Sequence, residues 1–163
     1  MSEGNTQENQ GYLIAEKLRA KKLTLSVAES CTGGLLSHIL TNTPGSSEFF
    51  KTGFIPYSYH AKEKFLKIDK KLLKKHGAIS KECAKAMAIN TRFIADSDIA
   101  ISITGVAGPL KSEGKPIGEV YIGIATVEKT IVKKYNFKGN REEIKHIAAS
   151  SALKLLLEQL CKL

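Results

Sequence analysis

An apolar run, Leu23-Thr24-Leu25-Ser26-Val27-Ala28, gives way at Glu29-Ser30-Cys31-Thr32-Gly33-Gly34 to a helical pattern from near Gly33 to about Thr41. A serine hydroxyl therefore sits on a strand-to-helix turn, with free backbone N–H groups just after it. A nucleophile that must reach a carbonyl and then stabilise an oxyanion wants this address. The helix start supplies donors and a favourable dipole. The same segment reads equally well as Ser30 and Thr32 capping the helix, with the glycines tightening the turn.

The rest of the chain repeats this alternation. Gly11 to Lys22 carries Leu13, Ile14, Ala15 and Leu18 at helical spacing. Phe49 to Tyr57 reads as a strand with an irregularity at Pro56. Helical segments follow around Tyr59 to Leu66 and Lys70 to Lys75, and Ser80 caps a helix to about Ala95. Ile99 to Thr104 is a short strand, followed by a loop from Gly105 to Pro116. Val120 to Val127 and Ile131 to Phe137 read as a hairpin, and Asn140 opens a last helix with Glu143 at the capping-box position. The fold class is α/β: a single compact domain over residues 10–163, with a mixed sheet flanked by helices and a flexible tail over residues 1–9.

The 163 residues suit one domain with an adequate core. No apolar run approaches membrane-spanning length, and the polar N-terminus is unlike a signal peptide. Cys31, Cys83 and Cys161 are scattered and lack metal-ligand spacing, so the expected setting is the reducing cytoplasm, without disulfides or structural zinc. The net charge of +9 comes from 22 lysines and three arginines. Base-reading proteins lean on arginine, so nucleic acid is an unfavoured partner. The dense stretch Lys62, Lys64, Lys67, Lys70, Lys71, Lys74, Lys75 reads as a solvated surface, or as attraction for a polyanion or phosphorylated ligand.

In the last helix, Ile144, Ile147, Ala148, Ser151 and Leu155 form one face, and Leu153, Leu156, Leu157 and Leu160 the other. A helix apolar nearly all round is buried on both sides. It is a central core helix or a subunit interface; a short domain has few layers, so a homo-oligomer is expected.

Ser30 needs a base. His38, His60, His76 and His146 lie among polar or basic neighbours, and no Ser-His-Asp arrangement stands out. Lysine is the alternative if burial or positive neighbours lower its pKa. On a helix through residues 59–66, Lys62 falls between Phe65 and Leu66, while Lys64 and Lys67 point away. A lysine on that flank is costly unless it snorkels or has a function.

Glu29-Ser30-Cys31-Thr32-Gly33-Gly34, Gly53, Tyr57-Ser58-Tyr59-His60-Ala61-Lys62, Thr104-Gly105-Val106-Ala107-Gly108-Pro109, Lys115-Pro116-Ile117-Gly118 and Phe137-Lys138-Gly139-Asn140-Arg141 follow one another in this order. In order and spacing this set resembles the CinA C-terminal domain family, which includes nicotinamide-nucleotide amidases, from about Gly11 to Leu160. The resemblance implies hydrolysis of the carboxamide of nicotinamide mononucleotide to nicotinate mononucleotide and ammonia, in pyridine-nucleotide salvage. It puts the family's serine on Ser30, its lysine on Lys62 and its tyrosine on Tyr57, with neither metal nor cofactor required. Ser30 would attack the amide carbon, Lys62 would move the protons, and N–H groups of Cys31, Thr32, Gly33 and Gly34 would hold the oxyanion. Thr104, Gly105, Ala107 and Gly108 leave a strand end, where glycines would let backbone approach the nucleotide, or would simply make a turn. Arg141 would meet the phosphate.

Two departures stand out. Tyr59 replaces the asparagine of the family's Tyr-Ser-Asn, and Leu110-Lys111-Ser112-Glu113-Gly114 replaces a glycine-rich stretch. They motivate an alternative: a catalytically impaired nucleotide-binding module, or a partner-dependent protein.

Overall fold

The computed structural model describes residues 3–163, and the side chains from Thr6 onward. Five strands, β1 (Leu25–Glu29), β2 (Phe50–Phe54), β3 (Ile99–Gly105), β4 (Glu119–Ala125) and β5 (Thr130–Asn136), form one sheet in the order β2-β1-β3-β4-β5. β1 runs parallel to β2 and β3; β4 is antiparallel to both β3 and β5. Six helices surround it: α1 (Glu3–Lys21), α2 (Leu35–Thr41), α3 (Tyr59–Leu66), α4 (Lys70–His76), α5 (Lys81–Ala95) and α6 (Arg141–Leu160). This is the expected α/β domain with a mixed sheet.

The parallel centre is buried on both faces, as helical crossovers require. Leu25, Val27, Ile101 and Ile103 pack with Ile14, Leu18, Leu36, Ile144 and Leu153, so α1, α2 and α6 cover one face. Ala28, one residue on from Val27 and so on the opposite face, packs with Leu66, Leu73 and Met87 of α3, α4 and α5. The chain passes from β1 to β2 over the first face and from β2 to β3 over the second. The carboxyl ends of β1 and β3 therefore flank a topological switch point, where open α/β sheets leave a crevice. No helix among the described residues is long and apolar enough to cross a membrane.

Two expectations change. The segment read as a loose tail is helical from Glu3. Gln7 is buried in the gap between α1 and α6, where its amide donates to the His146 carbonyl at 3.0 Å and to Ser150 Oγ at 2.6 Å. A polar residue with long-range partners looks like tail in the sequence alone. Second, α6 buries Ile144, Ala148, Leu153, Leu155, Leu156 and Leu160 within a single chain, between the sheet and helices α1 and α2. The core of one domain accounts for both apolar faces, which removes the argument from α6 for a subunit interface.

Candidate active site

Glu29 organises the turn after β1. Its carboxylate is fully buried and accepts five hydrogen bonds: from Thr32 Oγ1 (2.6 Å), the N–H groups of Gly34 (3.1 Å), Leu36 (3.0 Å) and Ser37 (2.8 Å), and Ser37 Oγ (2.7 Å). An acid thus meets the N-terminal end of α2, where donors and dipole favour it. Gly33 and Gly34 have φ of +63° and +103°, so α2 begins at Leu35 rather than near Gly33. Only glycine adopts such angles at low cost.

This arrangement revises the oxyanion donors. The Gly34 N–H is held by Glu29, and the Gly33 N–H donates to the Ser30 carbonyl at 3.1 Å. Thr32 spends its hydroxyl on Glu29. Thr32, Gly33 and Gly34 are not part of the cavity lining, which at this turn is made by Ser30 and Cys31. Among the described residues, neither the Cys31 nor the Thr32 N–H has an acceptor on another residue; Cys31, which lines the cavity beside the serine, is the one placed to donate there.

Ser30 extends the parallel ladder by one bond, its N–H donating to the Ile103 carbonyl at 2.9 Å. Its hydroxyl meets Lys62 Nζ at 3.2 Å. Lys62 is 1% exposed and also donates to the Pro56 carbonyl at 2.8 Å. It therefore does not snorkel. The apolar side of α3 runs along Lys62 and Leu66, four residues apart, while Tyr59 and Phe65 are exposed. Pro56, read as a strand irregularity, ends β2's extension and turns its carbonyl toward the amine. Burial lowers the Lys62 pKa, and Cys83 and Glu113 oppose the shift.

These groups open into a cavity of about 270 Å³ at the switch point. Thr104, Gly105, Ala107 and Gly108 line it, but two have other duties. Thr104 Oγ1 donates to the Ala78 carbonyl at 2.7 Å. A Cβ on Gly105 would lie 2.7 Å from the Glu119 carbonyl oxygen, so that glycine serves the close approach of β4 rather than a ligand. Arg141, in the first turn of α6, donates to the Gly108 carbonyl at 2.6 Å and to Tyr57 Oη at 2.9 Å. It ties the loop after β3 to the segment before α3 across the cavity mouth. Tyr57 rides there with half its surface exposed.

Sequence reasoning marked Tyr59 and the 110–114 loop as departures but did not single out Tyr59 or Glu113 as site residues; both line the cavity. Their hydrogen bond, across 54 positions of the chain, has no sequence signal. Cys31 lines the cavity beside Ser30, but burial pushes its thiol up to about 12. A thiol so reluctant to ionise is a poor nucleophile at neutral pH. If the site turns over a substrate through Ser30, Cys31→Ala should keep at least about a third of that turnover, because the change spares the hydroxyl. Loss of turnover with an unchanged melting temperature would show the thiol taking part.

A one-domain α/β fold with a buried serine–lysine contact at its switch point defines the class. A model of the CinA C-terminal domain matches residues 8–160, and the chain belongs to that family. It is 48% identical over 139 residues to a putative competence-damage inducible protein of Caldanaerobacter subterraneus subsp. tengcongensis, covering 85% of this chain and 34% of that protein. It is 42% identical over 151 residues to a CinA-like protein of Syntrophotalea carbinolica, covering 92% and 37%. The chain thus spans about a third of the length of these curated relatives. Among solved structures, a CinA superfamily protein of Klebsiella pneumoniae superposes with a TM-score of 0.94 at 31% identity, covering 96% of this chain and 99% of that one. A competence/damage inducible protein of Agrobacterium tumefaciens gives 0.91 at 30% identity, covering 94% of both chains.

Proposed function

We propose that this domain is a nicotinamide-nucleotide amidase that hydrolyses nicotinamide mononucleotide to nicotinate mononucleotide and ammonia. The observation that carries this reading is the 3.2 Å contact between Ser30 Oγ and a buried Lys62 Nζ inside a cavity. A charged amine donates across that contact. A neutral amine keeps one N–H on the Pro56 carbonyl and turns its lone pair to the serine, so the hydroxyl becomes the donor. Lys62 then takes the proton as Ser30 Oγ bonds to the carboxamide carbon. The Cys31 N–H faces the resulting oxyanion. Collapse breaks the C–N bond, and the Lys62 ammonium protonates the departing nitrogen to release ammonia. Water, deprotonated by Lys62, cleaves the ester and restores the serine. Arg141 at the mouth retains N–H groups beyond its bonds to Gly108 and Tyr57, and these suit the phosphate.

The test is ammonia release from nicotinamide mononucleotide by the purified protein. Binding without release would instead support the alternative, a nucleotide-binding module. The pH profile has a defined sign. Turnover should rise with pH through an inflection below the ordinary lysine value of 10.5 as Lys62 loses its proton. Folding stability should follow the same direction. Below the lowered folded-state pKa, both states hold the proton and the full cost of burying the charge applies. Above it, up to 10.5, only the unfolded chain stays protonated, and stability increases with pH. Lys62→Met should remove both dependences. An inflection in turnover that survives Lys62→Met in a residually active protein would rule out this lysine as the base.

A further inference from the structure

Glu113 occupies a place in the cavity that the serine–lysine chemistry does not use. Its Oε1 accepts from Tyr59 Oη at 2.6 Å, and its Oε2 accepts from the Ile79 N–H at 3.1 Å. Tyr59 is itself fixed by the Ala78 N–H, which donates to its Oη at 3.2 Å. The turn that presents Glu113 is closed by the Lys115 N–H on the Ser112 carbonyl at 2.8 Å. Gly77 leaves the space the carboxylate needs, since a Cβ there would strike it. Tyr59 and the 110–114 loop thus form one hydrogen-bonded unit.

The charge this unit delivers is distinctive. Among the described side chains lining the cavity, Glu113 is the sole carboxylate, and Arg141 lies on the same lining. Each Glu113 oxygen makes one hydrogen bond, leaving acceptor capacity and negative charge toward the cavity. A pyridine nucleotide has a matching polarity: an anionic phosphate and a ring nitrogen made cationic by its bond to ribose.

We propose that Glu113, held in place by Tyr59, is a specificity-determining residue that favours a substrate whose aromatic ring carries a positive charge. This deepens the amidase reading and rests on it for the pyridine carboxamide. Glu113 supplies the counter-charge for the ring, and Arg141 that for the phosphate. Free nicotinamide, neutral and without phosphate, satisfies neither.

The test measures binding separately from turnover. In the Ser30→Ala protein, calorimetric titration compares nicotinamide mononucleotide with its 1,4-dihydro form, which keeps the carboxamide, ribose and phosphate but has a neutral ring. Because Glu113 is solvent-accessible, the expected preference for the cationic ring is modest, about three- to tenfold. It should shrink as salt is raised. Adding Glu113→Gln should bring the ratio close to one, and adding Tyr59→Phe, which frees the carboxylate without neutralising it, should lower it partway. A purely structural role would weaken both ligands together and leave the ratio unchanged, which would overturn the proposal. Should the glutamine variant fail to fold, an undiminished, salt-independent ratio in the Tyr59→Phe variant overturns it equally. If the parent protein releases no ammonia while the Ser30→Ala protein shows the charge preference, the amidase reading falls and the role of Glu113 stands.

Discussion

Ser30→Ala should lower ammonia release from nicotinamide mononucleotide by a factor on the order of 10³ or more, with the fold retained. The change removes the hydroxyl that meets Lys62 Nζ and adds no bulk. Lys62 keeps its bond to the Pro56 carbonyl, so the amine is not orphaned. The cost in stability should therefore stay near 1 kcal/mol, about the worth of one hydrogen bond. Activity and melting temperature must be measured together. A variant with parental turnover would place the nucleophile elsewhere and remove the chemical basis of the proposed activity. A variant that loses turnover only because it unfolds would show the opposite pattern, a large fall in melting temperature.

Glu29→Ala should have the largest effect on stability, at least about 3 kcal/mol, because bonds to a charged acceptor are worth about 1.5–3 kcal/mol each and several are lost together. The N–H groups of Gly34, Leu36 and Ser37 and the hydroxyls of Thr32 and Ser37 would all lose their acceptor, a carboxylate that is itself fully buried. The left-handed pair Gly33-Gly34 would lose the group that closes the turn around it. Urea denaturation should register the loss, and turnover per folded molecule should fall as well, since Ser30 follows Glu29 directly. A loss below 1 kcal/mol would mean that α2 is capped in some other way. Glu29 thus serves the site without lining it, which explains why the motif around the serine contains an acid.

The sequence made the elements legible where local chemistry specifies them. Ser58, Ser80 and Asn140 each cap the helix that follows, and Asn140 and Glu143 form the reciprocal capping box that their spacing predicts. The boundaries of α3 agree with the pattern because the cap and the i,i+4 pairing of Lys62 with Leu66 are local facts. Lys62 itself was legible as a candidate, but its orientation was inferred from the wrong neighbours. Phe65 and Tyr59 are exposed, because α3 turns Leu66 into the cluster with Cys83 and Met87 of α5 and turns Lys62 toward Ser30 and the Pro56 carbonyl. Hydrophobic periodicity ranks faces by composition, and a helix of eight residues has too few positions to outvote one functional side chain.

The oxyanion donors, the glycines and the charge on the cavity wall needed distances. Glycine at position 105 answers to β4, at 77 to Glu113, and at 33 and 34 to a backbone twist around Glu29. The letters are the same in each case, and only the neighbours distinguish them.

What the amino-acid order settled by itself is most of the succession of strands and helices, since caps and periodicity act over a few residues; it also nominated Ser30 and Lys62 as a candidate pair. What required the folded chain is which N–H groups remain free, which carboxylate lines the cavity and which apolar helix face is already covered. Those depend on contacts between Ser30 and Lys62, Tyr59 and Glu113, and Tyr57 and Arg141, separated by 32, 54 and 84 positions. Such pairs meet only when the crossovers of the sheet bring their segments to one end, and no local pattern encodes that meeting.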